Sequence, residues 1–348
     1  MIVGRDNILD ILDSSKDSNL FLTGERGTGK SLILKEAAKR RQKNSVYAFI
    51  DFERISLSPE NFAVEYIEKI TDAAIGKSSF SELTEKDTGK AFDSILKIKN
   101  ELEKIKPNHR LLFELAINFP EQLSYEISKK ITVCADELWK IEELSNYSQI
   151  KDSILLLKNI ISGQRNVRYY ATGSAETLSK HIAETLGWKI TEIKNFDRRD
   201  IKELAAAKKS KADTEKIFRL SYGMPFVADI LLDGKDFNKE MLCKKGMIYS
   251  YLNSILNEKL GRARGKSQLW VILKKLSQKE MKLAEISREI YRSSPITKNL
   301  LTRLVEVDLI TQEGSMYSFA NKLLKEFVHN ITSGKEYDSF EEAKEEQS

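Results

Sequence analysis

The chain has 348 residues, of which 41% are hydrophobic and 31% charged, and its formal net charge is +5 at pH 7. This length predicts two or three domains, and the composition is typical of a soluble globular protein. No run of 18 apolar residues occurs, so we expect neither a membrane-spanning helix nor a membrane partner. Two cysteines, Cys134 and Cys243, are too few for a disulfide framework or a metal site. Together with an N-terminus that lacks the apolar core of a signal peptide, they indicate a cytoplasmic protein.

The charge is unevenly distributed along the chain. Residues 259–303 carry twelve Lys and Arg against three Asp and Glu, a local net charge of +9. Residues 335–348 carry two Lys against six Asp and Glu, a local net charge of −4. The basic block favours an anionic partner, and we expect the acidic tail, 333–348, to be disordered.

The first predicted strand, 19–23, leads into a phosphate-binding motif. Residues 24–31 read G-x-x-x-x-G-K-S, the P-loop, and a helix is predicted from residue 30. Its glycines permit positive φ, so the backbone amides and the helix N-terminus surround an anion. A P-loop predicts that Lys30 reaches the β- and γ-phosphates and that the Ser31 hydroxyl binds Mg²⁺. The alternative is a glycine-rich turn that contains Lys-Ser by chance, but the flanking strand and helix favour the P-loop. The predicted nucleotide-binding residues of this stretch are Gly24, Glu25, Arg26, Gly27, Thr28, Gly29, Lys30, Ser31 and Leu32.

Strands and helices alternate from the P-loop to about residue 195, which predicts an α/β fold with a parallel, doubly wound sheet. Residues 52–130 interrupt this alternation with a long, mostly helical stretch, in which a helix over 111–128 is predicted to break at Pro120. The further strands are predicted at 46–51, 131–137, 167–174 and 189–194.

Two acidic residues end the apolar strand 131–137. In a P-loop protein, Asp136 is predicted to hold the Mg²⁺ shell and Glu137 to polarise the attacking water. The alternative is an ordinary strand end, where acidic residues are common. Thr172, Gly173 and Ser174 end the next strand, and ligands of parallel sheets lie at the carboxyl ends of the strands. A hydroxyl there is therefore a candidate for binding the γ-phosphate or the water, and Ser174 is assigned to the nucleotide site. The alternative is a small-residue turn between strand and loop. We expect Trp139 to pack rather than to stack on a base.

The pattern becomes helical after residue 196, with one long helix predicted over 239–260. Three helices and a β-hairpin over 263–332 predict a winged helix-turn-helix, whose third helix enters the major groove of DNA. That helix is predicted to begin with Ser294 as N-cap, to bury Ile296 and to expose Thr297. The alternatives are a winged helix that docks protein, or a basic surface that is only solvated. The predicted DNA contacts are Lys298, Thr302 and Arg303 in the groove and Lys274 and Lys275 on phosphates.

The segments 24–31, 131–137, 171–174 and 222–225 occur in an order that resembles the archaeal-type P-loop ATPases, which belong with the AAA+ and STAND ATPases. The resemblance extends over residues 1 to roughly 330. It implies an AAA+-like core of five strands, a helical lid and a winged helix, with ATP rather than GTP as the nucleotide. The domains implied are 1–196, 197–262 and 263–332, followed by the tail 333–348.

Two short motifs extend the nucleotide site through this resemblance. Residues 3–6 resemble the box that opens such domains near the adenine, which adds Gly4 and Arg5. Residues 223–225 resemble the G-x-P signature of the STAND lid, which adds Pro225. The chain departs from the ring-forming members, because residues 174–188 contain no arginine to serve as an arginine finger.

These observations predict a slowly hydrolysing, Mg²⁺-dependent ATPase switch coupled to DNA binding, in genome maintenance, replication or a mobile-element task. The alternative is a signalling or defence ATPase whose winged helix docks protein. A third possibility is a nucleotide-binding scaffold that scarcely turns over. The partners expected are DNA, another protein or a further copy of the chain.

Overall fold

A computed structural model describes residues 3–14, 18–41 and 45–342. The chain divides into two compact units. The first comprises Met1–Glu25 and Gly29–Ile193, and the second comprises Arg26–Thr28 and Lys194–Ser348. Among the described residues, no helix combines the length and the apolar character that crossing a bilayer requires.

The first unit is built on a five-stranded sheet in the order β2-β3-β4-β1-β5, and all neighbouring strands are parallel. The four residues of β1 are all buried, as are the last six of β3, because helices cover both faces of a parallel sheet. The parallel sheet predicted from the strand–helix alternation is therefore confirmed. The strands are β1 (Leu20–Thr23), β2 (Ser45–Asp51), β3 (Lys130–Asp136), β4 (Val167–Gly173) and β5 (Lys189–Glu192).

The first helix of this unit precedes β1, and the other helices lie between the strands along the chain. Four helices separate β2 from β3, as the long helical stretch predicted. Their contacts with the sheet form the main core, which includes Phe62, Phe113 and Ile131. The helices are α1 (Asp6–Ser14), α2 (Lys30–Arg41), α3 (Pro59–Ile75), α4 (Glu85–Thr88), α5 (Phe92–Leu102), α6 (His109–Ile127), α7 (Ser153–Ile161) and α8 (Glu176–Leu186), with 3₁₀ turns at Phe80–Glu82, Gly89–Ala91 and Leu138–Asn146.

The predicted break at Pro120 does not occur, because α6 continues through it as one helix. A proline inside a helix removes one backbone hydrogen bond and crowds the preceding turn. In α6 the neighbouring side chains Phe119 and Leu123 are fully buried, as is Phe113. Burial of this apolar face against the core outweighs the local cost, so tertiary packing overrides the local preference.

The second unit begins with five helices. The single helix predicted over 239–260 is two helices, separated by a turn at residues 243–246. The turn requires glycine at position 246, since a Cβ there would lie 2.2 Å from the carbonyl oxygen of Glu240. The helices are α9 (Arg198–Lys208), α10 (Thr214–Ser221), α11 (Pro225–Leu232), α12 (Phe237–Leu242) and α13 (Met247–Ala263).

The rest of the second unit combines helices with a small antiparallel sheet in the order β6-β8-β7. Met281 of β6 pairs with Tyr317 of β8, and Ile310 of β7 pairs with Phe319. These apolar side chains join the core of the unit. The elements are α14 (Lys266–Gln278), β6 (Met281–Lys282), α15 (Leu283–Glu289), α16 (Ser294–Glu306), β7 (Ile310–Glu313), β8 (Met316–Phe319) and α17 (Lys322–Thr332).

The orientation of α16 about its axis differs from the prediction. Ile296 is 51% exposed, whereas Thr297 is fully buried and its hydroxyl donates to the carbonyl of Ser293 at 3.0 Å. Position 297 shares a face with Leu300 and Leu304, three and seven residues on, so helical periodicity outweighs the hydrophobicity of isoleucine here. The N-cap position is Ser293 rather than Ser294.

The sequence predicts disorder for the acidic tail, 333–348, of which residues 343–348 lie outside the described part of the chain. Residues 337 and 338 contact the turn between α12 and α13. The amide of Lys244 donates to the carbonyl of Tyr337 at 2.9 Å, and the Tyr337 amide donates to Leu242 at 3.0 Å. An ion pair of 2.7 Å joins Lys244 to Asp338. Backbone pairing and opposite charge thus hold this segment on the second unit.

Candidate nucleotide-binding site

The loop between β1 and α2 has the backbone that its glycines permit. Gly24, Gly27 and Gly29 have φ values of 147°, 82° and 93°, a region that residues with a side chain rarely adopt. A Cβ on Gly24 would also lie 2.3 Å from the carbonyl oxygen of Ile193. Because α2 begins at Lys30, directly after this loop, its unpaired amides face the same place as the loop amides. This is the arrangement that binds phosphate groups.

Lys30 is held inside the loop. Its ammonium donates to the carbonyl of Gly24 at 2.7 Å and to that of Glu25 at 2.8 Å, and the residue is only 4% exposed. Burial lowers the pKa of Lys30, while nearby carboxylates, first Glu137 and then Asp136, act in the opposite direction. A buried ammonium bonded only to neutral carbonyls is a strong partner for an anionic phosphate.

Ser31 and Asp136 come together although they are far apart in sequence. The Ser31 hydroxyl donates to Oδ1 of Asp136 at 2.9 Å, and the Thr172 hydroxyl donates to the same oxygen at 2.5 Å. The sheet explains this meeting: β1 and β3 both neighbour β4, so their carboxyl ends lie at one edge. Thr172 follows Ala171, which pairs with Ala135, and this register places it beside Asp136.

Burial raises the pKa of Asp136, which is 6% exposed, and the hydrogen bonds from Thr172 and Ser31 offset this only in part. The charges of Glu137 and Asp51 raise it further. A buried carboxylate beside two other carboxylates is stabilised by a cation.

A magnesium ion fits this donor set. Carboxylate and hydroxyl oxygens are the hard ligands that Mg²⁺ prefers, and Mg²⁺ is usually held by one or two protein ligands plus substrate phosphates. Asp136 and Ser31 supply two such oxygens next to the phosphate-binding loop. Within the described ranges no group of three or more His, Cys, Asp or Glu side chains is placed to hold a metal by itself. Asp136 and Ser31 would therefore hold the ion together with a nucleotide.

Glu137 follows Asp136 with a φ of 53°, in the left-handed region. Its amide donates to the Thr172 hydroxyl at 3.0 Å. Its carboxylate oxygen Oε2 accepts hydrogen bonds from Trp139 Nε1 at 2.6 Å and from the hydroxyl and amide of Ser174 at 2.8 and 2.9 Å. The structure thus brings together Lys30, Asp136, Glu137 and Ser174, all of them predicted from the sequence.

Three further residues are predicted from the sequence to bind the nucleotide, namely Gly4, Arg5 and Leu32. Arg5 is 7% exposed, and its carbonyl accepts the amides of Ile8 and Leu9 at the start of α1. Gly4 has a φ of 66°. Leu32 is 61% exposed at the beginning of α2.

The loop tip, residues 26–28, groups with the second unit. There Arg26 Nη1 lies 2.8 Å from Glu258 Oε2, and the Tyr251 hydroxyl donates to the Arg26 carbonyl. Pro225 occupies the first turn of α11 in the same unit and is buried.

The residues predicted to contact DNA have different surroundings. Lys274, Lys298 and Thr302 are exposed, and Lys275 forms an ion pair of 2.7 Å with Glu289. Arg303 does not extend into solvent as predicted. Its guanidinium donates to the carbonyls of Ala263 and Arg264 at the end of α13, because the last carbonyls of a helix lack intrahelical partners.

Two contacts of the site do not follow from the sequence. Thr172 is predicted only as part of a strand end whose hydroxyls face the γ-phosphate or the water, whereas the register of β3 and β4 puts its hydroxyl on both Asp136 and the Glu137 amide. Trp139 was expected only to pack, and it is 5% exposed, but its indole nitrogen also donates to Glu137. The spacing Asp136-Glu137-x-Trp139 was the available signal, since a 3₁₀ turn after the strand folds the indole back.

No family model matches the chain, and no curated protein matches it. Among solved structures, the chain is similar to a Walker-type ATPase of Pyrococcus abyssi, with 18% identity and a TM-score of 0.64 over 94% of this chain and 96% of that one. It also matches the ORC2 protein of Aeropyrum pernix, with 11% identity and a TM-score of 0.48 over 96% and 95% of the two chains. The first similarity shows that the chain has the α/β fold of a P-loop ATPase.

Proposed function

We propose that this chain binds Mg·ATP and hydrolyses it slowly, at the site formed by the P-loop and the carboxyl ends of β3 and β4. One observation carries the proposal. The hydroxyl of Ser31 and the carboxylate of Asp136 lie 2.9 Å apart, next to a buried Lys30 and the acidic Glu137. A phosphate-binding loop, a cation-binding pair and a proton acceptor are the three parts that phosphoryl transfer to water requires.

Each residue has a role that follows from its chemistry. The loop amides and Lys30 bind the phosphates, and exchange of the Gly24 and Glu25 carbonyls for a γ-phosphate pairs the buried ammonium with an anion. Asp136 and Ser31 hold Mg²⁺, which neutralises charge on the phosphates when it is bound. Glu137 accepts the proton of the attacking water, since it is the carboxylate next to the cation-binding pair.

Slow turnover is proposed because no arginine follows β4 directly and the next two along the chain are engaged in ion pairs. Residues 174–188 contain none. Arg198 and Arg199, at the start of α9, are engaged in exposed ion pairs of 3.1 Å with Glu215 and Glu203. An arginine that stabilises the transition-state charge contributes about 10³–10⁵ in rate, so a site without one turns over slowly. Such a site suits a switch between nucleotide states.

We further propose that residues 197–262 form a lid and that residues 263–332 form a winged helix-turn-helix that binds DNA. The element order α14-α15-α16 followed by the hairpin β7-β8 supports the second assignment. The net charge of +9 over residues 259–303 supports an anionic partner, and exposed Lys274 and Lys298 are available for phosphate contacts. Genome maintenance, replication and mobile-element tasks all combine ATP with DNA in this way.

A second candidate function is a signalling or defence ATPase of the STAND type, in which the same module docks a protein. Two exposed apolar side chains favour it. Tyr291, between α15 and α16, is 88% exposed, and Ile296 at the start of α16 is 51% exposed. Aromatic side chains are enriched at protein interfaces. In addition, Arg303 is bonded to α13 and is not presented to a groove.

The nucleotide proposal is tested by ATP binding to the variant Lys30→Ala. We expect loss of Mg·ATP binding in a calorimetric titration, because the phosphates lose their buried cation. The matched control is Lys39→Ala, which removes an exposed lysine of the same helix and should bind ATP like the unmodified chain. Equal ATP affinity in Lys30→Ala and the unmodified chain would refute the assignment of the loop.

The DNA proposal is tested by gel-shift titrations with duplex DNA at two salt concentrations, with and without ATP. Phosphate contacts release counterions, so affinity should fall steeply as salt rises. Absence of duplex binding at the lower salt concentration would exclude the DNA function and favour protein docking.

A further inference from the structure

The carboxylate of Glu137 is held by one of its two oxygens. Trp139 Nε1 donates to Oε2 at 2.6 Å, the Ser174 hydroxyl at 2.8 Å and the Ser174 amide at 2.9 Å. Within the part of the chain that the structure describes, no hydrogen-bond donor reaches the other oxygen, Oε1. One oxygen is thus saturated by donors, whereas the other is available to accept a hydrogen bond.

The backbone of Glu137 is fixed as well. Its φ of 53° lies in the left-handed region, which is unfavourable for a residue with a side chain. The amide donates to the Thr172 hydroxyl at 3.0 Å, and the same hydroxyl donates to Asp136 at 2.5 Å. A conformation of this kind persists only where the surroundings determine it, and such positions are concentrated at active sites.

The indole of Trp139 is itself immobilised. The side chain is 5% exposed, and the ammonium of Lys140 lies 4.7 Å from the centre of its ring. Both Trp139 and Glu137 lie at the start of the 3₁₀ turn Leu138–Asn146. Bonds from a rigid donor to an ionised carboxylate are short and strong, so Trp139 restricts where the Glu137 side chain can lie.

We propose that Trp139 and Ser174 are positioning residues, which fix Oε2 of Glu137 and thereby direct Oε1 toward the water that attacks ATP. This inference rests on the proposed ATPase function. In that step the water oxygen bonds to the γ-phosphorus while the bond to the bridging oxygen of ADP breaks. The water proton passes to Oε1 and then to the released phosphate. Ser174, predicted from the sequence as a ligand of the γ-phosphate or the water, acts instead on Glu137.

The central test is the variant Trp139→Phe, which removes the N–H donor and retains an aromatic ring in the core. We expect the turnover number at saturating Mg·ATP to fall roughly tenfold, as for loss of other groups that orient a catalytic side chain. The dissociation constant for ATP should stay unchanged, because the P-loop glycines and Lys30 are left intact in this variant. The control is Trp188→Phe, a buried tryptophan that stacks on Tyr169 away from Glu137, and its turnover should match the unmodified chain.

A double-mutant cycle separates positioning from general damage. If Trp139 acts through Glu137, its replacement has no further effect once Glu137→Gln has been made. If Trp139→Phe lowers turnover by the same factor in the unmodified chain and in Glu137→Gln, Trp139 acts on the fold, and the inference is overturned. Unchanged turnover in Trp139→Phe would overturn it too, because the hydrogen bond would then contribute nothing to catalysis. Faster turnover would also overturn it, because the hydrogen bond would then hold Glu137 away from the water.

Tryptophan fluorescence tests the contact without activity. In the variant with both Trp188→Phe and Trp270→Phe, Trp139 is the remaining tryptophan of the three in the chain. We expect its emission maximum to shift when Glu137→Ala is added, since the indole loses a charged acceptor. If the emission maximum shifts but the unmodified chain does not hydrolyse ATP, the contact is confirmed. The proposed function is then refuted, and the positioning role with it. No shift would overturn the contact itself.

Discussion

The Ser31 hydroxyl lies 2.9 Å from the Asp136 carboxylate, and 105 residues separate the two along the chain. The sheet order brings them together, because β3 and β1 both neighbour β4 and all three strands run in parallel. Ligands of such sheets bind beyond the carboxyl ends of the strands, where loop and strand-end residues meet. The pair therefore marks one end of the sheet as the place where a divalent cation and a phosphate chain fit.

The first prediction concerns Glu137→Gln. The amide retains the shape of the side chain but accepts no proton at neutral pH, so ATP hydrolysis should fall by about two to three orders of magnitude. ATP affinity should remain within a few-fold of the unmodified chain, since the P-loop and Asp136 are intact. Single-turnover hydrolysis with radiolabelled ATP, together with filter binding, measures both quantities. Rapid hydrolysis by this variant would show that another group accepts the proton.

The second prediction concerns the stability of the nucleotide-free protein. Burial raises the pKa of Asp136 above its unfolded value, so the folded state binds this proton more tightly than the unfolded state. Asp136 therefore adds to the free energy of unfolding at low pH, where its carboxyl group is protonated. This contribution is lost as the pH rises from the unfolded pKa, near 4, through the raised folded one. Asp136→Asn removes this penalty, so at neutral pH the variant should unfold at a higher urea concentration.

The same variant should lose Mg²⁺-dependent ATP hydrolysis, because an amide is a poor ligand for this ion. Urea titrations between pH 4 and pH 7 measure the stability difference, which should grow with pH. A difference that stays constant over this range would contradict the assigned cause.

Site residues that belong to a contiguous motif, or that end an apolar strand, are predictable from the sequence. Lys30 and Ser31 follow from a motif that is contiguous in sequence, and the positive φ values of Gly24 and Gly29 are those that the motif requires. Asp136 follows from its position at the end of an apolar strand. These features depend on a few neighbouring residues, so the sequence alone predicts them.

Residues that depend on packing between distant segments escaped this reasoning. Thr172 reaches Asp136 only because of the strand register, and no local pattern encodes a register. Thr297 is buried although Ile296 beside it is the more apolar residue, because the face of α16 is set by its neighbours. Arg303 caps α13, which lies 40 residues earlier in sequence. In each case, tertiary contacts decide between local alternatives of similar energy.

The third prediction concerns the two thiols. Cys134 and Cys243 are both fully buried and free. Burial raises the pKa of Cys134 to about 12, so the reactive thiolate is nearly absent at neutral pH. The folded chain should react with Ellman's reagent only at the rate of unfolding, and both thiols should react at once in about 6 M guanidinium. Rapid modification of one thiol in the native protein would indicate a local opening at that site.

The last prediction separates stability from DNA binding on α16. Arg303 donates to two carbonyls at the end of α13, so Arg303→Ala leaves these acceptors without their charged partner. We expect the free energy of unfolding to fall by about 1–2 kcal/mol, the usual scale for hydrogen bonds to a charged group that is partly solvent-exposed. Lys298→Ala, one turn earlier on the exposed face, should change stability by less than about 0.5 kcal/mol.

If α16 binds a duplex, the two variants should also differ in their salt dependence. Lys298→Ala should weaken binding and lower the slope of log affinity against log salt by about 0.9, the value for a single phosphate neutralised by a lysine. Arg303→Ala should leave that slope unchanged, because its guanidinium is engaged within the protein. Urea titrations and duplex titrations at three salt concentrations measure these effects. A lower salt slope in Arg303→Ala, with unchanged stability, would show instead that this arginine binds DNA as the sequence predicted.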